Sequence, residues 1–219
     1  MNDERTPRRD DPHGAITMYS AGMPLHDAKA ALVMLHGRGA TADDILGLAR
    51  YLPAADLAYL APQAAGNTWY PQRFLAPLDE NEPWLSSALA AVGRVLAQVA
   101  AAGIPTERTF LLGFSQGACL ALEYVAREPR RWGGLAALSG GIIGPPGAPR
   151  PDPPEDRPLS GMPVYLGCDE RDLHIPATRV RESAELMRRL GATVTLRLYR
   201  SLGHTINDDE LASVRDMLA

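Results

Sequence analysis

Seven short apolar runs alternating with amphipathic stretches constrain the fold of this chain more than any other feature of its sequence. The runs are Ile16–Tyr19, Ala31–Leu35, Leu57–Leu60, Thr109–Leu112, Leu135–Leu138, Val164–Leu166 and Val194–Tyr199. Continuous apolar runs of this length suit strands buried on both faces. Helices are expected between them. Thr41 and Asp44 make a capping box ahead of Ile45–Leu52. In Trp84–Ala102, Leu85, Leu89, Val92, Leu96 and Val99 share one face, and Gly103 followed by Ile104-Pro105 ends the helix. Gln116–Arg127 follows a strand directly, Thr178–Leu190 stops at Gly191, and Asn207 with Glu210 caps Asp208–Leu218. The alternation predicts an α/β fold, a mostly parallel central sheet with helices on both faces.

A chain of 219 residues suits one substantial domain and is short for two. Residues 15–219 are therefore read as a single domain behind a disordered polar tail, residues 1–14. With 46% hydrophobic and 22% charged residues, a disordered chain or a coiled coil is excluded. The net charge of −4 comes without a basic stripe, which argues against nucleic acid as a partner. No stretch approaches the roughly 18 apolar residues that cross a bilayer, and Arg8-Arg9 lacks the hydrophobic segment of an export signal. A cytoplasmic protein without integral membrane association is the expectation. Cys119 and Cys168 cannot form a disulfide framework, and the single lysine, Lys29, has no phosphate-binding loop around it. No metal-ligand or cofactor motif occurs, so neither is expected. Two segments rich in Pro and Gly, Gly66–Pro83 and Gly140–Pro163, break the rhythm. They are expected as long loops, serving either as binding loops or lids or as surface excursions.

Gly113-Phe114-Ser115-Gln116-Gly117 carries the sharpest chemical signal. An apolar run precedes it and a helix rich in small residues follows, which is the context of a nucleophile elbow. The glycines are needed because side chains there collide in the tight turn. The alternative is an ordinary strand–helix turn with a capping serine, against which the flanking strand and helix weigh. A serine nucleophile needs a base and an acid. Of the five histidines only His174 and His204 follow Ser115, and His204 lies between the last strand and the last helix, where such a fold places its base. His174 follows the preceding strand too closely. The acid is expected in Gly167–Pro176, where spacing alone leaves Asp169 and Asp172 open. For the oxyanion, one backbone N–H comes from Gln116 and the other from Arg38 within Leu35-His36-Gly37-Arg38-Gly39. His36 itself is read as a structural, hydrogen-bonded residue. Cys119 is read as a small buried hydrophobe.

Leu35-His36-Gly37-Arg38-Gly39-Ala40, Gly113–Gly117, the Asp172…His174-Ile175-Pro176 stretch and Gly203-His204-Thr205 together resemble the phospholipase/carboxylesterase family of small α/β-hydrolases, relatives of the acyl-protein thioesterases. Asn67–Pro71 through Phe74–Pro77 is similar to its bacterial carboxylesterase branch. The resemblance implies Ser115, Asp172 and His204 as the catalytic set, because the family's acid sits just before the hydrophobic-Pro end of its loop. It also implies hydrolysis of small carboxylic esters without a cofactor, with homodimers common in the family. Trp69, Tyr70 and Phe74 are expected to line an apolar acyl or alcohol site, the alternative being packing in the core or within their loop. A lysophospholipase or acyl-protein thioesterase is the rival reading within enzymes. A binding module that kept the fold and lost catalysis is the rival outside them.

Overall fold

In the computed structural model, residues 10–53, 55–148 and 156–219 are described. Residues 1–9 of the expected tail and 149–155 of the Pro-rich loop lie outside them. All seven apolar runs form strands: β1 (Met18–Gly22), β2 (Ala30–Leu35), β3 (Leu57–Pro62), β4 (Thr109–Phe114), β5 (Gly134–Leu138), β6 (Pro163–Asp169) and β7 (Thr193–Tyr199). They pair in the order β1-β3-β2-β4-β5-β6-β7. Only β1 runs antiparallel, against β3. Among the described residues five helices follow the periodic segments: α1 (Ala42–Leu46), α2 (Trp84–Ala101), α3 (Gln116–Arg127), α4 (Ala177–Arg189) and α5 (Asp208–Leu218). α1 is shorter than its pattern and tightens at once into a 3-10 turn, Gly47–Tyr51.

Strand alternation sorts the core into two layers. Ala31, Val33 and Leu35 of β2 pack with residues of α2, α3 and α4, including Val92, Leu122 and Val180. Ala30, Leu32 and Met34 point the other way, into a layer with Ile45 of α1 and Val214 of α5. The two-residue repeat of a strand thus feeds two cores. Both capping boxes form: Thr41 Oγ1 accepts from the Asp44 N–H, and Asn207 Oδ1 accepts from the Glu210 N–H at 2.8 Å. α2, at 18 residues and a mean hydropathy of 1.3, meets the length and composition of a membrane span, against the expectation that no stretch does. Its Leu85, Ala88, Val92, Val95 and Val99 are buried in the core, as in an ordinary core helix.

Two further expectations change. His13, assigned to the tail, is fully buried. Its backbone N–H donates to Ser87 Oγ at 2.8 Å, its carbonyl accepts from Arg94, and its ring bridges the Trp69 carbonyl and the Ala65 N–H. A polar segment is fixed here because its hydrogen bonds are made by the chain it covers. The described start of the Pro-rich loop is likewise no surface excursion. Gly140 to Gly144 are buried, with Ile142 and Ile143 in the core.

Candidate active site

Parallel pairing brings the carboxyl ends of β2, β4, β6 and β7 to one edge of the sheet, where α/β folds place their ligands. Ser115 stands at the end of β4 with φ 53° and ψ −118°, a conformation costing a non-glycine residue on the order of 1–3 kcal/mol. The neighbouring glycines make it attainable. A Cβ on Gly113 would overlap the Gly117 carbonyl, and one on Gly117 would overlap the Leu35 carbonyl. The turn is anchored by the Ser115 N–H, which donates to the Leu138 carbonyl at 2.9 Å.

His204 reaches this serine from the loop after β7. Its Nε2 lies 2.8 Å from Ser115 Oγ, and its Nδ1 lies 2.7 Å from Asp172 Oδ2. The Asp172 side chain is fully enclosed. Burial alone would raise its pKa, but the hydrogen bond to His204 and the N–H groups of His174 and Ile175 outweigh this and hold the carboxyl below its usual range. Those N–H groups donate to Oδ1 at 2.7 and 3.1 Å, so each carboxylate oxygen has separate partners. With Nδ1 donating to Asp172, Nε2 is left as the acceptor for the serine hydroxyl proton.

Asp169, the other carboxylate left open by spacing, does not touch His204. Its Oδ1 accepts from the Arg171 N–H, and its Oδ2 accepts from the N–H groups of Leu202 and Gly203. These backbone bonds, Arg171 first, hold its carboxyl below the usual range. Asp169 therefore clamps the loop that carries His204. The His204 ring is packed between Phe114, 5.1 Å away, and His174, 4.7 Å away.

On the far side of Ser115, Arg38 and Gln116 hold the loop after β3. The Arg38 guanidinium donates to the carbonyls of Pro71 and Gln72 at 2.8 and 2.5 Å and lies 5.9 Å from the centre of the Tyr70 ring. Gln116 Oε1 accepts from the Trp69 N–H at 2.9 Å, and its Nε2 donates to the Tyr70 carbonyl at 2.8 Å. The sequence marked only the backbone N–H groups of these two residues. Among the described residues neither N–H donates to another backbone carbonyl.

A cavity of about 520 Å³ opens over Ser115 and His204, lined also by Arg38, Tyr70, Arg73, Phe74, Cys119 and Ile175. Of the three aromatics expected at a substrate site, Tyr70 and Phe74 line this cavity and Trp69 does not. It is fully buried behind the cavity, its Nε1–H donating to the His36 carbonyl at 2.9 Å and its ring 5.1 Å from His36 and 5.6 Å from His13. The alternative of packing within the core holds for Trp69 because the amino-terminal segment closes over it. His36 is structural, as read: it is buried, Nδ1 pairs with the Gly37 carbonyl and Nε2 accepts from the Ala64 N–H. Burial pushes the Cys119 thiol up to about 12, leaving it protonated. No group of residues that could hold a metal occurs among the described residues.

A family profile described as phospholipase/carboxylesterase matches residues 22–219. The crystal structure of a phospholipase/carboxylesterase from Dyadobacter fermentans is similar with a TM-score of 0.87 and 42% identity, covering 94% of this chain and 97% of that one. Acyl-protein thioesterase 1 of Eremothecium gossypii is 29% identical over 86% of this chain and 88% of its own length. The carboxylesterase SOBER1 of Arabidopsis thaliana is 27% identical over 65% of this chain and 60% of its own length. With an α/β-hydrolase sheet, a serine on a strained strand–helix turn and a histidine hydrogen-bonded to both that serine and a buried aspartate, the chain belongs to the phospholipase/carboxylesterase family of hydrolases.

Proposed function

We propose that this chain is a serine carboxylesterase that hydrolyses small carboxylic esters through an acyl-enzyme. His204 Nε2 takes the proton from Ser115 Oγ as that oxygen attacks the ester carbonyl carbon. Asp172 holds the Nδ1–H tautomer and stabilises the imidazolium. The N–H groups of Arg38 and Gln116 receive the oxyanion, each such donor being worth on the order of 3 kcal/mol in the transition state. His204 then gives its proton to the departing alkoxide. Water, deprotonated by the same ring, attacks the acyl carbon and releases the acid and free Ser115.

The observation that carries this reading is the unbroken hydrogen-bonded chain from Ser115 Oγ through His204 to Asp172, at 2.8 and 2.7 Å. It also weighs against a binding module that has lost catalysis, since such a module has no need of all three members in register. The relationship to an acyl-protein thioesterase supports a second reading, cleavage of longer acyl esters or thioesters. Rising kcat/KM with acyl length favours that reading, and a short-chain optimum favours the first. The two buried free thiols, Cys119 and Cys168, fit a reducing cytoplasmic setting. The direct test is labelling with a fluorophosphonate probe. Stoichiometric labelling is expected in the native protein and none in folded Ser115→Ala, whose kcat should fall roughly 10⁴-fold or more. Labelling that persists in the variant refutes Ser115 as the nucleophile.

A further inference from the structure

The charges around the cavity carry information that the reaction itself does not require. The chain has a net charge of −4, yet the cavity lining contains two arginines, Arg38 and Arg73, two histidines and not one aspartate or glutamate. Among the described residues neither arginine pairs with a carboxylate. Arg38 satisfies its N–H groups on the neutral carbonyls of Pro71 and Gln72, which fix the guanidinium in place but leave its charge uncompensated. Arg73 is exposed on the same loop, beside Phe74. A third donor stands nearby. Tyr70 is almost completely buried and lines the cavity, and among the described residues its hydroxyl has no oxygen or nitrogen partner, with only the weakly accepting Cys119 thiol beside it. A buried donor without an acceptor costs about 1–3 kcal/mol unless a ligand supplies the acceptor.

Esterolysis of a neutral ester needs none of this. The oxyanion is served by backbone N–H groups, and an apolar acyl chain gains nothing from two guanidinium ions at the rim. The lining instead matches what attracts carboxylates and phosphates: two guanidinium ions brought to one cavity from the loops after β2 and β3, with no carboxylate side chain among the lining residues. We propose that the ester this site takes carries an anionic group, a carboxylate or a phosphate, which is held by Arg38 and Arg73. The inference rests on the esterase reading above and names its substrate class.

Matched pairs test it. 4-Nitrophenyl pentanoate and 4-nitrophenyl hemiglutarate have acyl chains of equal length and differ in a terminal carboxylate. Monobutyrylglycerol and its phosphate differ in a phosphate. With uncatalysed rates subtracted, the anionic member of at least one pair should show the higher kcat/KM, and which pair responds identifies the anion. Arg73→Gln should lower the anionic-to-neutral ratio about fivefold, the scale of a solvent-exposed ion pair. Raising the salt from about 0.05 to 0.5 M should shrink the same ratio in the native enzyme. A native enzyme that hydrolyses the neutral esters at least as well as both anionic ones overturns the inference and leaves the esterase standing, as does a ratio unmoved by Arg73→Gln. A folded protein inert to all four esters and to fluorophosphonate overturns both.

Discussion

Replacing Asp172 by asparagine changes one atom, and the hydrogen bonds around it determine which way the new amide faces. Oδ1 accepts from the N–H groups of His174 and Ile175 at 2.7 and 3.1 Å. An amide nitrogen cannot accept, so the asparagine must keep its oxygen there and direct Nδ2 toward His204, 2.7 Å from Nδ1. A donor facing Nδ1 forces the imidazole to carry its proton on Nε2. That nitrogen lies 2.8 Å from Ser115 Oγ, so the ring now donates to the hydroxyl it should deprotonate. The same inverted tautomer in a serine protease lowers kcat about 10⁴-fold, equivalent to about 5.5 kcal/mol of barrier. Asp172→Asn is therefore expected to lose about four orders of magnitude in kcat toward 4-nitrophenyl butyrate, with KM and thermal midpoint nearly unchanged. Asp169→Asn should act differently. It replaces one acceptor of the clamp on Leu202 and Gly203, so it should loosen the loop and lower thermal stability along with a smaller loss of kcat. An Asp172→Asn enzyme retaining a tenth of native kcat, or an Asp169→Asn enzyme more impaired than it, would refute the tautomer argument.

Two other perturbations follow from the packing. Trp69→Ala removes a core side chain and should cost about 3–5 kcal/mol of stability in urea denaturation. Its effect on KM should be the same for acetate and octanoate esters, and a rise confined to the longer ester would return Trp69 to the substrate site. Glu210 is fully buried, and burial pushes its carboxyl from the ordinary 4.5 up to about 7. The folded state then holds a proton that the unfolded state releases, so the stabilisation is present below about pH 4.5 and is lost as pH rises through about 7. The full loss is about 3 kcal/mol. The buried His13 and His36 pull in the opposite sense, because desolvation lowers their pKa values and folding then gains as pH rises toward 6.5. The difference between native and Glu210→Gln proteins in urea midpoint isolates the carboxyl. It should widen in favour of the variant from pH 5 to pH 8, and a constant difference would refute the assignment.

What could be read from the sequence is what contiguous residues decide. The five inner strands, β2 to β6, announce themselves as apolar runs, because a strand covered on both faces has no polar side to alternate with. Both capping boxes are closed within four residues. The elbow at Ser115 is likewise local: strand, glycine, serine, glycine and helix adjoin in the chain, and the overlap that forces glycine at 113 arises within the turn. The order of the motifs placed His204, since the base must come after the acid in such a fold.

Contacts between distant segments settled the rest. Asp169 and Asp172 sit three residues apart with the same chemistry, and only the meeting of the loops after β6 and β7 gives one the imidazole and the other two backbone N–H groups. Trp69 reads as a site aromatic until His13, 56 residues earlier, folds across it and closes it into the core. The side chains of Arg38 and Gln116 carry no local sign that they brace a loop more than 30 residues away. Periodicity and turn chemistry are properties of neighbours along the chain. Burial, hydrogen-bond partners and the charge of a cavity are properties of neighbours in space, and these exist only once the sheet has brought four strand ends together.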